Sequence, residues 1–148
     1  MHGHFAYAWG DTGVATTAAE AWAGGRGVCQ DYAHCMLALC RLCDLPARYV
    51  SGHLLGEGGT HAWVEVLLPH PGDAESLQAL AFDPTHACRP GLRYVTVATG
   101  RDYADVPPTS GTYEGAPGGA LVPHKRAAVT RVEYLRRPRQ RRPGPVRA

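Results

Sequence analysis

The chain has 148 residues, 45% of them hydrophobic and 19% charged, which fits one globular domain with enough apolar material for a core that needs no disulfides. No apolar run is long enough to span a bilayer, and no secretory leader pattern is present, so a cytoplasmic protein with no membrane partner is expected. The net charge of +2 hides an uneven spread: residues 136–148 hold six arginines and no acid, leaving 9 basic against 13 acidic residues in 1–135.

Phe5, Tyr7 and Trp9 alternate, so residues 1–10 read as an incomplete strand or a leading loop. Thr17 and Glu20 have the spacing of a capping box, which predicts a short helix over 18–23, ended by Gly24-Gly25. The principal helix is expected over 29–43. Val28, Tyr32, Cys35, Met36, Leu39, Cys40 and Cys43 recur there at three- and four-residue steps as one apolar stripe. Pro46 stops it. A strand follows over 47–51, then a glycine-rich loop containing Gly52, Gly56, Gly58 and Gly59. Residues 61–68 alternate as a strand, with Ala62, Val64 and Val66 on one face and His61, Trp63 and Glu65 on the other. A loop over 69–76 leads to a strand over 77–83, and further strands are expected over 92–98 and 129–135. A loop over 100–111 contains Pro107-Pro108. A helix followed by a run of strands argues for an α+β fold with a mostly antiparallel sheet. The Arg/Pro segment 136–148 has almost no apolar residues and is expected to be a disordered tail with no dedicated nucleic-acid partner.

Three side chains in this order suit a thiol nucleophile, its base and the orienter of that base. Cys29 stands at the start of the main helix, where unpaired amide groups carry partial positive charge, favour a thiolate and can donate to an oxyanion. Gly25 and Gly27 leave the approach to the sulfur open. His61 begins one strand and Asp83 ends the next. A hairpin centred on Gly72 would set His61 opposite Asp83 on the same face, so that the carboxylate holds one imidazole nitrogen and the other faces the sulfur. Each residue also has an ordinary structural reading: a small buried thiol, a strand histidine, a turn-opening aspartate. The three features together point to nucleophilic catalysis. The Cys29 amide, the Gln30 side chain and the Trp22 indole are candidate oxyanion donors. Trp63, Arg101 and Asp102 are candidates to border the site, although the two loop residues suit ion pairs and turn caps equally well.

Five cysteines, an odd number with four of them in one predicted helix, do not make a disulfide framework. Cys40-x-x-Cys43 with Cys35, His34, His86 and Cys88 offers enough soft ligands for zinc. However, Cys40 and Cys43 fall inside a helix, and His86-Ala87-Cys88 has an unusually short spacing. No metal and no cofactor are expected, and no calcium loop is present.

Gly27-Val28-Cys29-Gln30-Asp31-Tyr32-Ala33-His34, the run from Leu45 to Gly52, His61 to Val66, Phe82-Asp83-Pro84-Thr85 and the run from Gly100 to Pro108 together resemble the bacterial transglutaminase-like family over about residues 5–115. The resemblance implies a papain-like core over 1–135 in which Cys29, His61 and Asp83 correspond to the catalytic Cys, His and Asp. It implies acyl transfer from a peptide or glutamine-type amide through a thioester, to water or to an amine. Compared with that family the segment before Phe5 is short, so an N-terminally incomplete core is expected. The loop between Gly52 and His61 is also short. A remnant that retains the three residues without activity is the alternative.

Overall fold

The computed structural model describes residues 2–108, 114–115, 118 and 128–133. The chain opens with a 3-10 turn over His2–His4 and a two-residue strand β1, Ala6–Tyr7. Helix α1, Ala18–Gly24, starts where the sequence predicts. The Thr17 hydroxyl accepts from the Glu20 amide (3.3 Å), and the Glu20 carboxylate accepts from the Thr17 amide (2.9 Å). Gly25 ends the helix in the left-handed region at φ 62°, a conformation glycine adopts without Cβ strain. Strand β2, Arg26–Gly27, then pairs in parallel with β1 and leads directly into helix α2, Cys29–Leu42.

Helix α2 is buried on two faces rather than along the single stripe expected. Ala33, Leu37 and Cys40, at i, i+4 and i+7, pack on the sheet with Tyr49, Ala62, Val64 and Val66. Tyr32 and Cys35 pack instead against Phe5 and Ala21. Leu39 and Cys43, assigned to the stripe from their spacing, are exposed, because the sheet and α1 occupy other sectors of the helix.

The sheet has four antiparallel strands in the order β5-β4-β3-β6: β3 Ala47–Leu54, β4 His61–His70, β5 Asp73–Phe82 and β6 Tyr94–Gly100. Helices packed on an antiparallel sheet make this an α+β fold of the papain-like kind. Strand β3 runs three residues past its predicted end. Gly52 lies inside it rather than in a loop, because the Trp63 ring crosses over that position: a Cβ added to Gly52 would sit 2.5 Å from Trp63 Cη2 and 2.3 Å from the Val95 carbonyl oxygen.

The β4–β5 hairpin corrects the expected register. His70-Pro71-Gly72-Asp73 forms a tight turn with Gly72 at φ +90°, so both strands extend into the segment read as a loop. His70 pairs with Asp73 but Pro69 pairs with Leu77, a bulge that holds extra residues on β5. Val64 then faces Phe82, and extending that ladder sets Asp83 beside Trp63, two residues from the expected partner His61. A two-residue slip leaves every side chain on its face. Strand 92–98 forms two residues later than expected. Residues 129–133 are not a strand, which corrects that expectation, and residues 134–148, tail included, lie outside those described. Among the described residues no helix is long and apolar enough to cross a membrane.

Candidate active site

The start of α2 is held by an acid that the sequence reading did not assign to the site. Asp31, 1% exposed, accepts through Oδ2 from the Val28 amide (2.8 Å) and the Thr12 hydroxyl (2.7 Å). The first of these bonds satisfies one of the unpaired amides at the helix start. A Cβ on Gly27 would meet Asp31 Oδ2 at 2.5 Å, which explains the glycine beside the nucleophile candidate. Position alone, three residues after the N-cap Val28, is the sequence signal for Asp31.

Cys29 is therefore fixed as the first residue of α2. It is partly buried and lines a cleft of about 240 Å³ together with Gln30, Tyr49, Thr60, His61 and Tyr103. His61 heads β4, lines the same cleft and is 3% exposed. Its Nε2 lies 2.7 Å from Oδ2 of Asp83, whose side chain is fully enclosed. The structure thus joins the imidazole to a carboxylate buried behind it and brings the imidazole to the cleft that Cys29 lines.

Asp83 is the most heavily bonded side chain of the region. Oδ2 also accepts from His86 Nδ1 (2.7 Å) and the Tyr94 hydroxyl (2.8 Å). Oδ1 accepts from the amides of Thr85 (2.8 Å) and His86 (3.2 Å). Burial opposes ionisation of this carboxyl, but the hydrogen bonds from His61, His86 and Tyr94 outweigh it and hold Asp83 well below the usual carboxylate range. Burial also opposes the charge on His61. The hydrogen bonds to Asp83 and Cys29, and the negative charge of both, outweigh that cost and push the ring up to about 10. The arrangement suits an imidazolium held between a sulfur and a carboxylate.

Tyr94, His86 and Glu57 were not read as members of this group. Glu57, in the β3–β4 loop, places Oε1 3.2 Å from His86 Nε2 and Oε2 3.8 Å from His61 Nδ1. His86 had a sequence signal, since Asp-Pro-Thr-His is an aspartate turn whose fourth residue folds back on the carboxylate. Tyr94 and Glu57 carry no local signal, because each comes from a segment brought in by the sheet.

The other candidates fall in different places. Gln30 lines the cleft, but its side-chain amide donates to the Val14 carbonyl (3.2 Å). Trp22 stacks on His4 with centroids 4.3 Å apart and lines neither wall of the Cys29 cleft, so it is corrected as an oxyanion donor. Trp63 is 1% exposed and lies behind the site, 6.2 Å from the His61 ring and 5.4 Å from Tyr94. It supports these rings rather than bordering the cleft. Arg101 pairs with Asp105, and Asp102 caps the short turn Tyr103–Asp105, so both serve the loop. The same loop does reach the site, through Tyr103 and Pro108.

The cysteine zinc site does not assemble. Cys35 Sγ donates to the Ala18 carbonyl, Cys40 lies in the core, and Cys43 and Cys88 are exposed. Among the described residues, one group of three has metal-binding atoms within reach of one another: His61, Asp83 and His86. Both rings already donate to Asp83 Oδ2, so a cation there would have to displace the hydrogen bonds that orient His61.

Comparison with known proteins agrees with this architecture. The chain belongs to the transglutaminase-like superfamily, whose model matches residues 3–80. That span contains Cys29 and His61 and stops three residues before Asp83. The uncharacterized protein Rv2569c of Mycobacterium tuberculosis is 40% identical over 119 residues, covering 72% of this chain and 37% of its own length. The uncharacterized protein ML0607 of Mycobacterium leprae is 38% identical over 116 residues, covering 72% of this chain and 39% of its own. The chain thus spans somewhat over a third of the relatives it matches. A solved structure described as a "putative cysteine protease" from Cytophaga hutchinsonii superposes with a TM-score of 0.60 at 33% identity, over 72% of this chain and 35% of that one.

Proposed function

We propose that this chain is a cysteine-nucleophile enzyme that cleaves or transfers peptide or glutamine-type amides through a thioester, with Cys29 as nucleophile, His61 as acid and base, and Asp83 as orienter of the ring. The observation that carries the proposal is the buried 2.7 Å contact between His61 Nε2 and Asp83 Oδ2, with His61 lining the same cleft as Cys29. The Cys29 thiolate attacks the amide carbonyl carbon, and the carbonyl oxygen takes the negative charge. The Cys29 amide, at the positive end of α2, is placed to donate to it. The oxyanion collapses, the C–N bond breaks, and His61 gives its proton to the leaving amine. Water, or a second amine, then adds to the thioester while His61 takes the proton, and the thiolate departs. Peptides or protein side-chain amides are the substrate class and no cofactor enters, in a cytoplasmic protein.

Iodoacetamide tests the central claim. Cys29 should alkylate at least about tenfold faster than the exposed Cys43 and Cys88 near neutral pH. His61→Ala should remove that advantage, while Trp63→Phe should leave most of it. Uniform rates at the three thiols would sink the proposal.

The alternative is an inactive form of the same fold. In this reading the fold keeps a reactive thiol but does not turn over. Fast labelling of Cys29 with no release of amine from any member of a peptide-amide library is its signature.

A further inference from the structure

A second cleft, of about 560 Å³, adjoins the first and shares with it Trp9, Thr60 and His61. Its walls bear four aromatic rings, Phe5, Tyr7, Trp9 and Tyr32. Its one acid is Glu57. We infer that this aromatic-walled, acid-bearing cleft receives a basic side chain, lysine or arginine, of the peptide whose amide is presented to Cys29. The inference deepens the proposed function and depends on it only for the role of the neighbouring thiol.

Four observations support it. First, two rings of the wall are open to solvent, Trp9 at 77% and Tyr7 at 48% exposed, and they stand against the buried rings of Phe5 and Tyr32. Phe5, Tyr7 and Tyr32 stand with centroids 4.8 Å (Phe5–Tyr32) and 6.4 Å (Tyr7–Tyr32) apart, and Tyr7 meets Trp9 edge-on at 6.2 Å. Ring faces attract alkylammonium and guanidinium groups, and an alkyl stem packs on them as well.

Second, the acid has an oxygen to offer. Glu57 Oε1 is 3.2 Å from His86 Nε2, but Oε2 is 3.8 Å from its nearest basic atom, His61 Nδ1, beyond hydrogen-bond range. The His61 and His86 rings are held from behind by Asp83. Oε2 thus keeps room for a hydrogen bond from an entering cation, with the charged His61 ring 3.8 Å away as its competitor.

Third, the cleft continues into the reaction site: Trp9, Thr60 and His61 line both clefts, and Tyr7 and Glu57 line this one. Burial, and after it the negative charges of Cys29 and Glu57, push the Tyr7 hydroxyl up to about 12. Fourth, Thr85 belongs to the same lining, is 8% exposed, and its hydroxyl has no hydrogen-bond partner among the described residues. The volume suits a long side chain with its flanking backbone and exceeds what a small amine alone would fill.

The test uses the full chain carrying Cys29→Ala, so that no turnover enters and failure of the chemistry leaves the binding result standing. N-acetyl-lysine methylamide, N-acetyl-norleucine methylamide and butylamine are titrated by calorimetry. The lysine probe should bind about tenfold or more tighter than norleucine, which has the stem without the charge, and tighter than butylamine. Glu57→Gln and the surface change Trp9→Ala should each weaken the lysine probe several-fold and leave norleucine nearly unchanged for the first. Equal affinity for lysine and norleucine, or no effect of Glu57→Gln, overturns the inference. Butylamine binding as tightly as the lysine probe overturns the assignment to a peptide side chain.

Discussion

His86 and His61 share one oxygen: the Asp83 Oδ2 atom accepts from His86 Nδ1 at the same 2.7 Å at which it accepts from His61 Nε2. An aspartate that merely oriented one imidazole would need neither this second ring nor the Tyr94 hydroxyl at 2.8 Å. The extra donors hold the carboxylate ionised in an enclosed place, and an ionised Asp83 keeps the His61 ring charged and aimed.

Removing one donor should be graded in effect. Tyr94→Phe keeps the ring against Trp63 but deletes one charge-assisted bond, at a cost of roughly 1.5–3 kcal/mol in a site of this kind. Asp83→Ala strips all five bonds and should cost about 3–5 kcal/mol, with His61 left buried beside no counter-charge. Urea denaturation of the two variants checks the order. Cys29 alkylation should slow in both, and more in the second.

Stability should vary with pH in a way set by the His61–Asp83 pair. His61 is raised from 6.5 to about 10, so its contribution is fully present below pH 6.5 and is lost as pH rises toward 10. Asp83 is lowered from 3.8, so its contribution is present above that pH and is lost on acidification below it. The protein should be most stable between about pH 4 and 6.5 as far as this pair is concerned. The Tm difference between wild type and His61→Gln should be largest near pH 6 and shrink steadily by pH 10. A difference that stays flat across that range would show that the folded ring is not charged.

Gly52 and its loop neighbours offer a contrast in one segment. Gly52→Ala drives a methyl group into the Trp63 ring and the Val95 carbonyl, and should cost about 1–3 kcal/mol or more. It should also slow Cys29 labelling, because Trp63 backs His61. Gly58→Ala and Gly59→Ala meet nothing within 4 Å and should stay within about 0.5 kcal/mol of wild type. Thermal denaturation of the three proteins makes the comparison.

The five thiols should divide into two groups. Burial pushes Cys35 up to about 11 and also raises Cys40. These two should resist a disulfide reagent until the protein is unfolded. Cys29, Cys43 and Cys88 should react in the native state, and Cys29→Ala should remove the fastest phase. Mass spectrometry of partly labelled protein assigns each site.

What the sequence determined by itself is local and periodic. Thr17 and Glu20 form the capping box, Pro46 follows the end of α2, and alternation keeps His61 and Asp83 on one face under any even shift of the hairpin register. Face assignment survives a two-residue slip because side chains alternate with period two, which is why the His61–Asp83 contact was legible although the partner-by-partner pairing was not. The tertiary structure decided everything that depends on distant segments meeting. It turned the Leu39 and Cys43 edge of α2 to solvent, sent Trp22 to His4, and set Trp63 behind the site. It also brought Tyr94 from β6 to the Asp83 carboxylate, and Glu57 from the β3–β4 loop to the His86 and His61 rings. No spacing rule joins Tyr94 and Glu57 to that site. They meet because a four-stranded sheet in the order β5-β4-β3-β6 brings its strand ends together, and burial there rewards side chains that can share their hydrogen bonds.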